Sequence, residues 1–477
     1  MKLKKSWNNS TSLKGYLLLL AIALLASTSC ICQSAATDIL TLDNFILRVK
    51  KYHPVARQGD LQVDKARAEL LTARGSFDPY FQLNASNKTF DDKNYYYYYN
   101  PEINIPLPVG NLKTGVENNG GNFLSSEITP GKTSYLGVEL PLAKGLLMDK
   151  RRAVLQQAKI FTQQSIQERL LILNNLLFES YVAYWQWAGA YQQYAAYTRF
   201  VDVANKRLQL IRNAFVNGDR ALMDTTEAYT QVQNYQLMQM EAFVNWKNAG
   251  LELSNYLWKE NDSIYLLKDR QLPENIQPAY DAVEEDTDGL ILQSFLQNPS
   301  LKIYDYKLIS LEVERKLKLQ NILPYFSVKA NLLNKDFNVL KNVNPAFIEN
   351  NYKWGIEFKL PLFLREARGE YKRTQLKIKE TNLDLSYKKL QIENKIRTYT
   401  NEFSAIKKQL QQLQSIYLNY QNLLRNEELK FAQGESSLFL VNSREIKLIE
   451  IIQKQIELSV KYYKAKYAIG WATGSLK

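Results

Sequence analysis

The chain has 477 residues, of which 45% are hydrophobic, 23% charged and 12% aromatic, a globular composition that excludes collagen-like and disordered proteins. Its formal charge is +13, and its only histidine is His53. Both cysteines, Cys30 and Cys32, lie near the N-terminus, so the rest of the chain offers no thiolate zinc site and no disulfide framework, and a catalytic triad only through His53. We therefore predict a protein that is not an enzyme, with no catalytic residue, bound metal or cofactor.

The N-terminal segment is typical of an export signal. Four lysines precede the apolar run 16–26, which is too short to span a bilayer, and we predict a signal peptide over residues 1–36. Its processing has open alternatives. Cleavage before Cys30 would leave that residue as an acylated lipid anchor, whereas cleavage before Gln33 or after Ala36 would remove it. A membrane anchor that stays in place is a further alternative.

Three short matches, in the same order, indicate two internal repeats over residues 37–258 and 289–477. They pair His53-Pro54 with Asn298-Pro299, the segment 137–142 with 355–362, and the segment 215–218 with 431–434. The intervening residues 259–288 contain two prolines and an acidic run, and we predict an irregular linker there.

Four segments alternate apolar and polar residues with period two, which predicts strands at about 79–90, 133–142, 324–336 and 352–362. Each has about the length of a tilted strand that crosses a bilayer. A charged row faces one side and suits a water-filled lumen, although a soluble half-buried sheet gives the same alternation. The row comprises Glu139, Lys329, Glu357 and Lys359. If the strands are transmembrane, several copies must share one barrel, because four strands cannot enclose a lumen.

The segment 90–132, between the first two strands, is predicted as a polar loop. It holds a run of five tyrosines at 95–99, several glycines and several prolines. Aromatic residues beside a transmembrane strand are common at a bilayer interface, and a disordered tyrosine tract is the alternative.

Two long segments, 144–213 and 365–433, lack proline and space their apolar residues three and four apart, which is the signature of coiled coils. About 70 helical residues form a rod of about 100 Å, so such helices must pack side by side. We predict that each rod ends at a tip, near 215–222 and near 431–438. Gly218 and Gly434 lie there because a reversal between antiparallel helices needs a residue that tolerates positive φ.

The export signal, the two helix–strand–strand–helix units and the glycine-centred tips resemble the TolC family of outer-membrane efflux proteins. The residues that carry the resemblance are Phe215–Asp224, Lys430–Leu438 and the Leu-Pro-Leu ends of two strands. The resemblance implies an α+β membrane protein that forms a homotrimer. Three chains with four strands each would make a 12-strand transmembrane β-barrel in the outer membrane of a Gram-negative bacterium. Their long coiled-coil helices would form a trimeric α-barrel through the periplasm.

The function that this resemblance implies is a passive exit duct of a tripartite efflux or type I secretion system. Its implied partners are a periplasmic adaptor (membrane fusion) protein, an inner-membrane transporter and outer-membrane lipid. Basic residues are interspersed with acids, so we predict no nucleic-acid partner. The implied adaptor-docking tips comprise Phe215, Asn217, Gly218, Phe431 and Gly434, which on the alternative interpretation are turns only. The competing function is a periplasmic coiled-coil scaffold without a membrane barrel.

Some family members close the periplasmic mouth with a ring of acids after the second tip. Counting from Gly434 places Leu440 and Ser443 there, so this chain lacks the paired carboxylates. We predict instead a hydrophobic constriction at which Leu438, Phe439 and Leu440 exclude water. Asp224 stands at a comparable point after the first tip, as part of the constriction or as a solvated helix residue.

Overall fold

The structure is a computed structural model that describes residues 38–268, 271–276, 286–335, 337 and 351–476. The predicted signal peptide, including Cys30, lies outside the described residues. The first half contains β1 (Asp38–Leu40), α1 (Leu42–Tyr52), α2 (Pro54–Gly75), β2 (Tyr80–Phe90), β3 (Lys93–Pro106), β4 (Asn111–Gly120), β5 (Gly131–Pro141), α3 (Lys150–Val216) and α4 (Leu222–Ser254). The second half contains β6 (Gln271–Pro273), α5 (Thr287–Gln297), α6 (Pro299–Gln320), β7 (Tyr325–Lys335), β8 (Tyr352–Lys359), α7 (Arg365–Ala432) and α8 (Leu438–Thr473).

A short helix leads into a longer one in each half, and proline begins the second of the two. Pro54 and Pro299 occupy the first helical position, where the missing N–H donor costs nothing. The residue before each proline caps the helix. The His53 Nδ1 accepts from the backbone N–H of Val55 at 3.2 Å, and the Asn298 Oδ1 accepts from that of Ser300 at 2.9 Å. The paired helices have equal lengths of 11 and 22 residues.

The long helices α3 and α7 have 67 and 68 residues, so each is a rod of about 100 Å. Stacked aromatic rings hold α3 against α8. Tyr181 stacks on Tyr467 and Trp185 stacks on Tyr463, each with 3.7 Å between ring centroids. In the part of the chain that the structure describes, no helix is both long and apolar enough to cross a membrane.

The main sheet has six antiparallel strands in the order β2-β3-β4-β5-β7-β8, where the sequence predicted four. The expected polar loop over 90–132 is wrong for most of its length, because that segment forms β3 and β4. Asp91 and Asp92 have φ of 54° and 56°, as in the tight two-residue turns that join hairpin strands. The tyrosine run lies in β3, which fits the preference of aromatic residues for strands.

The region between the halves was predicted to be irregular, and the structure corrects this in part. Strand β6 pairs in parallel with β1, with Asp38 opposite Gln271, and α5 begins at Thr287. Residues 269–270 and 277–285 of the predicted linker lie outside the described residues. The pairing ties the start of the described chain to the segment that precedes α5.

Candidate functional site

The six-stranded sheet has one polar and one apolar face. The register places side chains of matching parity on the polar face: Gln82, Asn84, Glu102, Lys113, Glu117, Glu139, Lys329, Asn331, Lys353 and Glu357. The opposite face carries Phe81, Leu83, Tyr97, Ile103, Val116, Leu136, Val138, Leu140, Val328, Trp354, Ile356 and Phe358. Phe81, Trp354 and Phe358 are each more than 60% exposed. A contiguous apolar surface of this kind marks a face that binds lipid or protein.

A row of alternating charges crosses four strands on the polar face. The Lys113 Nζ lies 3.1 Å from the Glu139 Oε2, and the Lys329 Nζ lies 3.6 Å from the Glu139 Oε1 and 3.3 Å from the Glu357 Oε2. The register also puts Lys359 on this face, as the sequence predicted. Lys113 was missed because it lay in the predicted loop. Because the signs alternate, the row makes this face hydrophilic without giving it a net charge of one sign.

The sheet ends in two edge strands. Within the described residues, β2 pairs only with β3 and β8 pairs only with β7. Every residue of β2 is exposed. The strand order makes β2 and β8 run in opposite directions. Exposed edges of this kind present unpaired backbone groups and are templates for pairing with another chain.

The tips at 215–222 and 431–438 have the same backbone geometry. Gly218 and Gly434 have φ of 84° and 81°. The N–H of Asp219 donates to the carbonyl of Ala214 at 2.9 Å, and the matching bond at the second tip, to Lys430, has the same length. This is the hydrogen bond that closes a helix with a left-handed residue. No heavy atom lies within 4 Å of where a Cβ of either glycine would be, so backbone conformation and not space requires glycine.

The two tips touch each other through Arg220, which sequence reasoning missed. Its guanidinium lies 4.2 Å from the centroid of the Phe431 ring, and its Nη2 donates to the Phe431 carbonyl at 3.0 Å. Phe431 is half-buried as a result, whereas Phe215, Asn217 and Gly218 are exposed. Gly434 is also exposed. The structure therefore brings the predicted docking residues to one end of the helices.

The residues predicted to form a constriction divide into two groups. Leu438 is 2% exposed and packs in the core with residues of α3 and α4, so it does not reach the surface of the chain. Phe439 and Leu440 are 67% and 42% exposed, because successive helix residues point in directions about 100° apart. Ser443 is exposed and Asp224 is half-buried. Of the predicted apolar residues, only Phe439 and Leu440 are therefore exposed at the surface of the chain.

A buried ion pair lies between the four long helices near the tips. The Arg207 Nη1 and Nη2 bind the Glu445 Oε2 and Oε1 at 2.8 and 3.0 Å, a two-pronged geometry that gives strong hydrogen bonds. The Glu445 side chain is 1% exposed. The Tyr235 hydroxyl also donates to the Glu445 Oε2 at 2.8 Å, and the partly exposed Glu428 lies 3.3 Å from Arg207. These side chains come from α3, α4, α7 and α8.

The surroundings of this pair keep the Tyr235 hydroxyl as a donor. Burial and the adjacent Glu445 charge raise the pKa of Tyr235, so the phenol stays protonated. Sequence reasoning missed the cluster because the two members of each bonded pair are more than 200 residues apart along the chain. One signal was present: Glu445 continues the spacing of Leu438, Val441 and Leu448, which placed a charge in an apolar seam.

Comparison with solved structures identifies the fold. The chain is similar to the outer-membrane channel OprN, with a TM-score of 0.66 and 12% identity over 91% of this chain and 89% of that one. It is similar to the Campylobacter jejuni CmeC outer-membrane channel (TM-score 0.62, 14% identity, 91% and 85% covered). It is also similar to the open state of the Neisseria gonorrhoeae MtrE outer-membrane channel (TM-score 0.61, 13% identity, 91% and 89% covered). Neither a protein-family model nor a curated sequence matches the chain. The resemblance to the TolC family is thus confirmed at the level of the fold.

Proposed function

We propose that this chain is the subunit of an outer-membrane channel that conducts cargo passively as the exit duct of a tripartite efflux or type I secretion system. The observation that carries the proposal is the two-faced sheet at one end of the long helices, which exposes its apolar side chains to the surroundings. Lipid covers such a face, and the polar face with its alternating charges then lines a wet interior. The chain would lie in the outer membrane of a Gram-negative bacterium, with its helices in the periplasm.

A homotrimer is proposed because a single sheet leaves two edges. Unpaired backbone groups are not tolerated in the hydrocarbon of a bilayer, so a spanning sheet must close. Strands β8 and β2 run in opposite directions, so β8 of one copy can pair with β2 of the next in the antiparallel sense that the rest of the sheet follows. The similarity to outer-membrane channels favours three copies, whose long helices would form the α-barrel.

The same proposal assigns a role to each segment of the chain. Residues 1–36 would direct export, and cleavage before Cys30 would make that residue a lipid anchor. The segments 37–258 and 289–477 would be structural repeats joined by 259–288. Each segment runs from a pair of helices through antiparallel strands to a pair of long helices, and the corresponding helices have similar lengths; the first segment also contains the β3–β4 hairpin, which has no counterpart among the described residues of the second. The exposed tip residues would bind a periplasmic adaptor, which would connect the duct to an inner-membrane transporter. Phe439 and Leu440 would narrow the opening beside the tips.

The test combines membrane extraction with conductance in planar bilayers. The unmodified protein should need detergent for extraction and should form pores. Trp354→Arg puts a charge on the apolar face, where a cation near the bilayer centre costs about 2–4 kcal/mol, and it should block insertion. The matched control Gln82→Arg puts the same charge on the polar face opposite Glu102 and should insert normally.

A periplasmic scaffold would behave differently in each assay. It would be released from membranes without detergent, would form no pores and would tolerate Trp354→Arg as well as Gln82→Arg. Any of these results would contradict the channel proposal.

A further inference from the structure

The hairpin of β3 and β4 stands inside the sheet and not beside it. Strand β3 pairs with β2 on one side, and β4 pairs with β5 on the other, in continuous antiparallel registers. The registers also preserve the two faces. Glu102 lies opposite Gln82 and Gly115, whereas Ile103 lies opposite Phe81 and Thr114. The hairpin therefore continues both the polar and the apolar surface.

Side chains on the polar face lock the hairpin to its neighbour. The Tyr135 hydroxyl on β5 reaches across β4 and donates to the Glu102 carboxylate on β3. Gly115 makes this crossing possible, because a Cβ there would lie 3.0 Å from the Tyr135 hydroxyl oxygen and 2.7 Å from the Pro101 carbonyl oxygen. These contacts fix the hairpin as an integral part of the sheet.

The turn at 107–110 fixes the height of the hairpin. The Arg151 Nη1, at the start of α3, donates to the Asn111 Oδ1 at 3.0 Å, and its Nη2 donates to the Gly110 carbonyl at 3.3 Å. Gly110 has φ of 86°, and a Cβ there would lie 2.2 Å from the Glu139 carbonyl oxygen. The turn is therefore held at the helical end, and β3 and β4 run the full height of the sheet.

We propose that each copy contributes six strands to the membrane wall, so that three copies close a barrel of eighteen strands. This rests on the trimeric channel proposed above. Neighbouring strands are about 4.8 Å apart and tilt by about 40° in barrels, which gives a backbone diameter of about 36 Å for eighteen strands and about 24 Å for twelve. The β3–β4 hairpin thus widens the exit by about half.

The wider wall admits a bulkier class of cargo. Inward side chains occupy about 5 Å on each side, half the spacing between packed sheets, which leaves a bore of about 26 Å. An α-helix with its side chains is about 10–12 Å across, so two helices fit abreast, whereas a twelve-strand wall would admit one. The outer end of the duct would therefore pass small folded or paired segments as well as small molecules.

The test measures the wall directly. Electron microscopy of the detergent-purified full chain gives the barrel diameter in cross-section, and native mass spectrometry gives the number of copies. A variant that lacks residues 93–120 joins β2 to β5 and should reduce the diameter by about one third. The matched control lacks residues 125–129, which removes loop but no strand, and should keep the full diameter. Neutral polymers about 20 Å across, added to pores in planar bilayers from the side of the barrel, should enter the unmodified pore and be excluded from the first variant.

The possible results distinguish the eighteen-strand barrel from the channel function on which it rests. A trimer with a wall of about 36 Å supports the eighteen-strand barrel. A conducting trimer with a wall of about 24 Å, or an unchanged diameter after removal of 93–120, overturns it and leaves the channel proposal intact. A protein without pores overturns both. If the shortened variant does not assemble, the diameter of the unmodified trimer decides.

Discussion

Removing Arg207 should strongly destabilise the tip end of the long helices, because it leaves the buried carboxylate of Glu445 without its cation. The Glu445 side chain is 1% exposed and Arg207 is its cationic partner at two oxygens. Breaking a buried ion pair from one side typically costs about 3–5 kcal/mol. We therefore expect Arg207→Met to lower the free energy of local opening by about this amount, which is a change of about 150- to 4,000-fold in the opening equilibrium.

Hydrogen–deuterium exchange of the purified full-length protein measures this opening. Backbone amides of α4 and α8 near the tips should exchange faster in the variant, while those near the aromatic stacks of α3 and α8 keep their protection. Arg397→Met is the matched control, because Arg397 is 49% exposed and its partner Asp288 is 80% exposed. Loss of such a surface pair should change stability by less than about 1 kcal/mol.

A double variant separates charge from packing. Arg207→Met combined with Glu445→Leu replaces the pair with apolar side chains of similar size, and such replacements of buried pairs are often neutral or stabilising. The double variant should therefore recover most of the lost protection. If Arg207→Met has no more effect than Arg397→Met, or if the double variant is less protected than the single one, the reasoning about a stranded carboxylate is refuted.

Three further predictions concern the helix cap, the tip and the sheet. Burial lowers the pKa of His53 below its ordinary 6.5, and a backbone hydrogen bond opposes this shift. The unfolded chain therefore binds the proton more readily than the folded one, so the free energy of unfolding should fall as the pH drops from about 7 to about 5. His53→Asn, which copies the cap at Asn298, should remove this decline in thermal melts, and an unchanged decline would show that another group titrates. Gly218→Val should cost about 1–2 kcal/mol in thermal unfolding because φ is positive there, and a cost equal to that of Gly218→Asn would contradict this. Lys329→Gln leaves Glu357 without its cation, so reversal potentials under a KCl gradient should shift towards cation preference; no shift would show that the charged row does not face the pore.

The sequence predicted the elements whose periodicity is undisturbed. Leu136, Val138 and Leu140 alternate with polar neighbours, and the long helices keep their apolar spacing over many turns, so both are visible without a structure. The hairpin was hidden because Tyr95–Tyr99 place the same residue on both faces, which removes the period-two signal. The turn at Asp91-Asp92, which joins β2 to β3, lacks the glycine that usually marks such a turn.

The residues of the site were harder to predict than the elements that hold them. Gly218 and Gly434 could be found because a local backbone requirement fixes their type. Arg220 and Glu445 could not, because their roles depend on partners more than 200 residues away. Whether a charged helix residue is solvated or buried is decided by which helices become neighbours, and local sequence does not contain that information.

The helical tips and the sheet differ in whether their buried or unpaired groups find partners within one copy of the chain. At the tips, the buried carboxylate of Glu445 has its guanidinium and hydroxyl partners within the same chain, so this ion pair needs no second copy. By contrast, in the part of the chain that the structure describes, the sheet has open edges at β2 and β8, and its Trp354 and Phe358 side chains are exposed. Because an open edge is not tolerated in lipid and an exposed apolar face is unfavourable in water, neither defect can be relieved alone. In the proposed trimeric channel, edge pairing between copies and entry into the membrane would therefore be coupled steps.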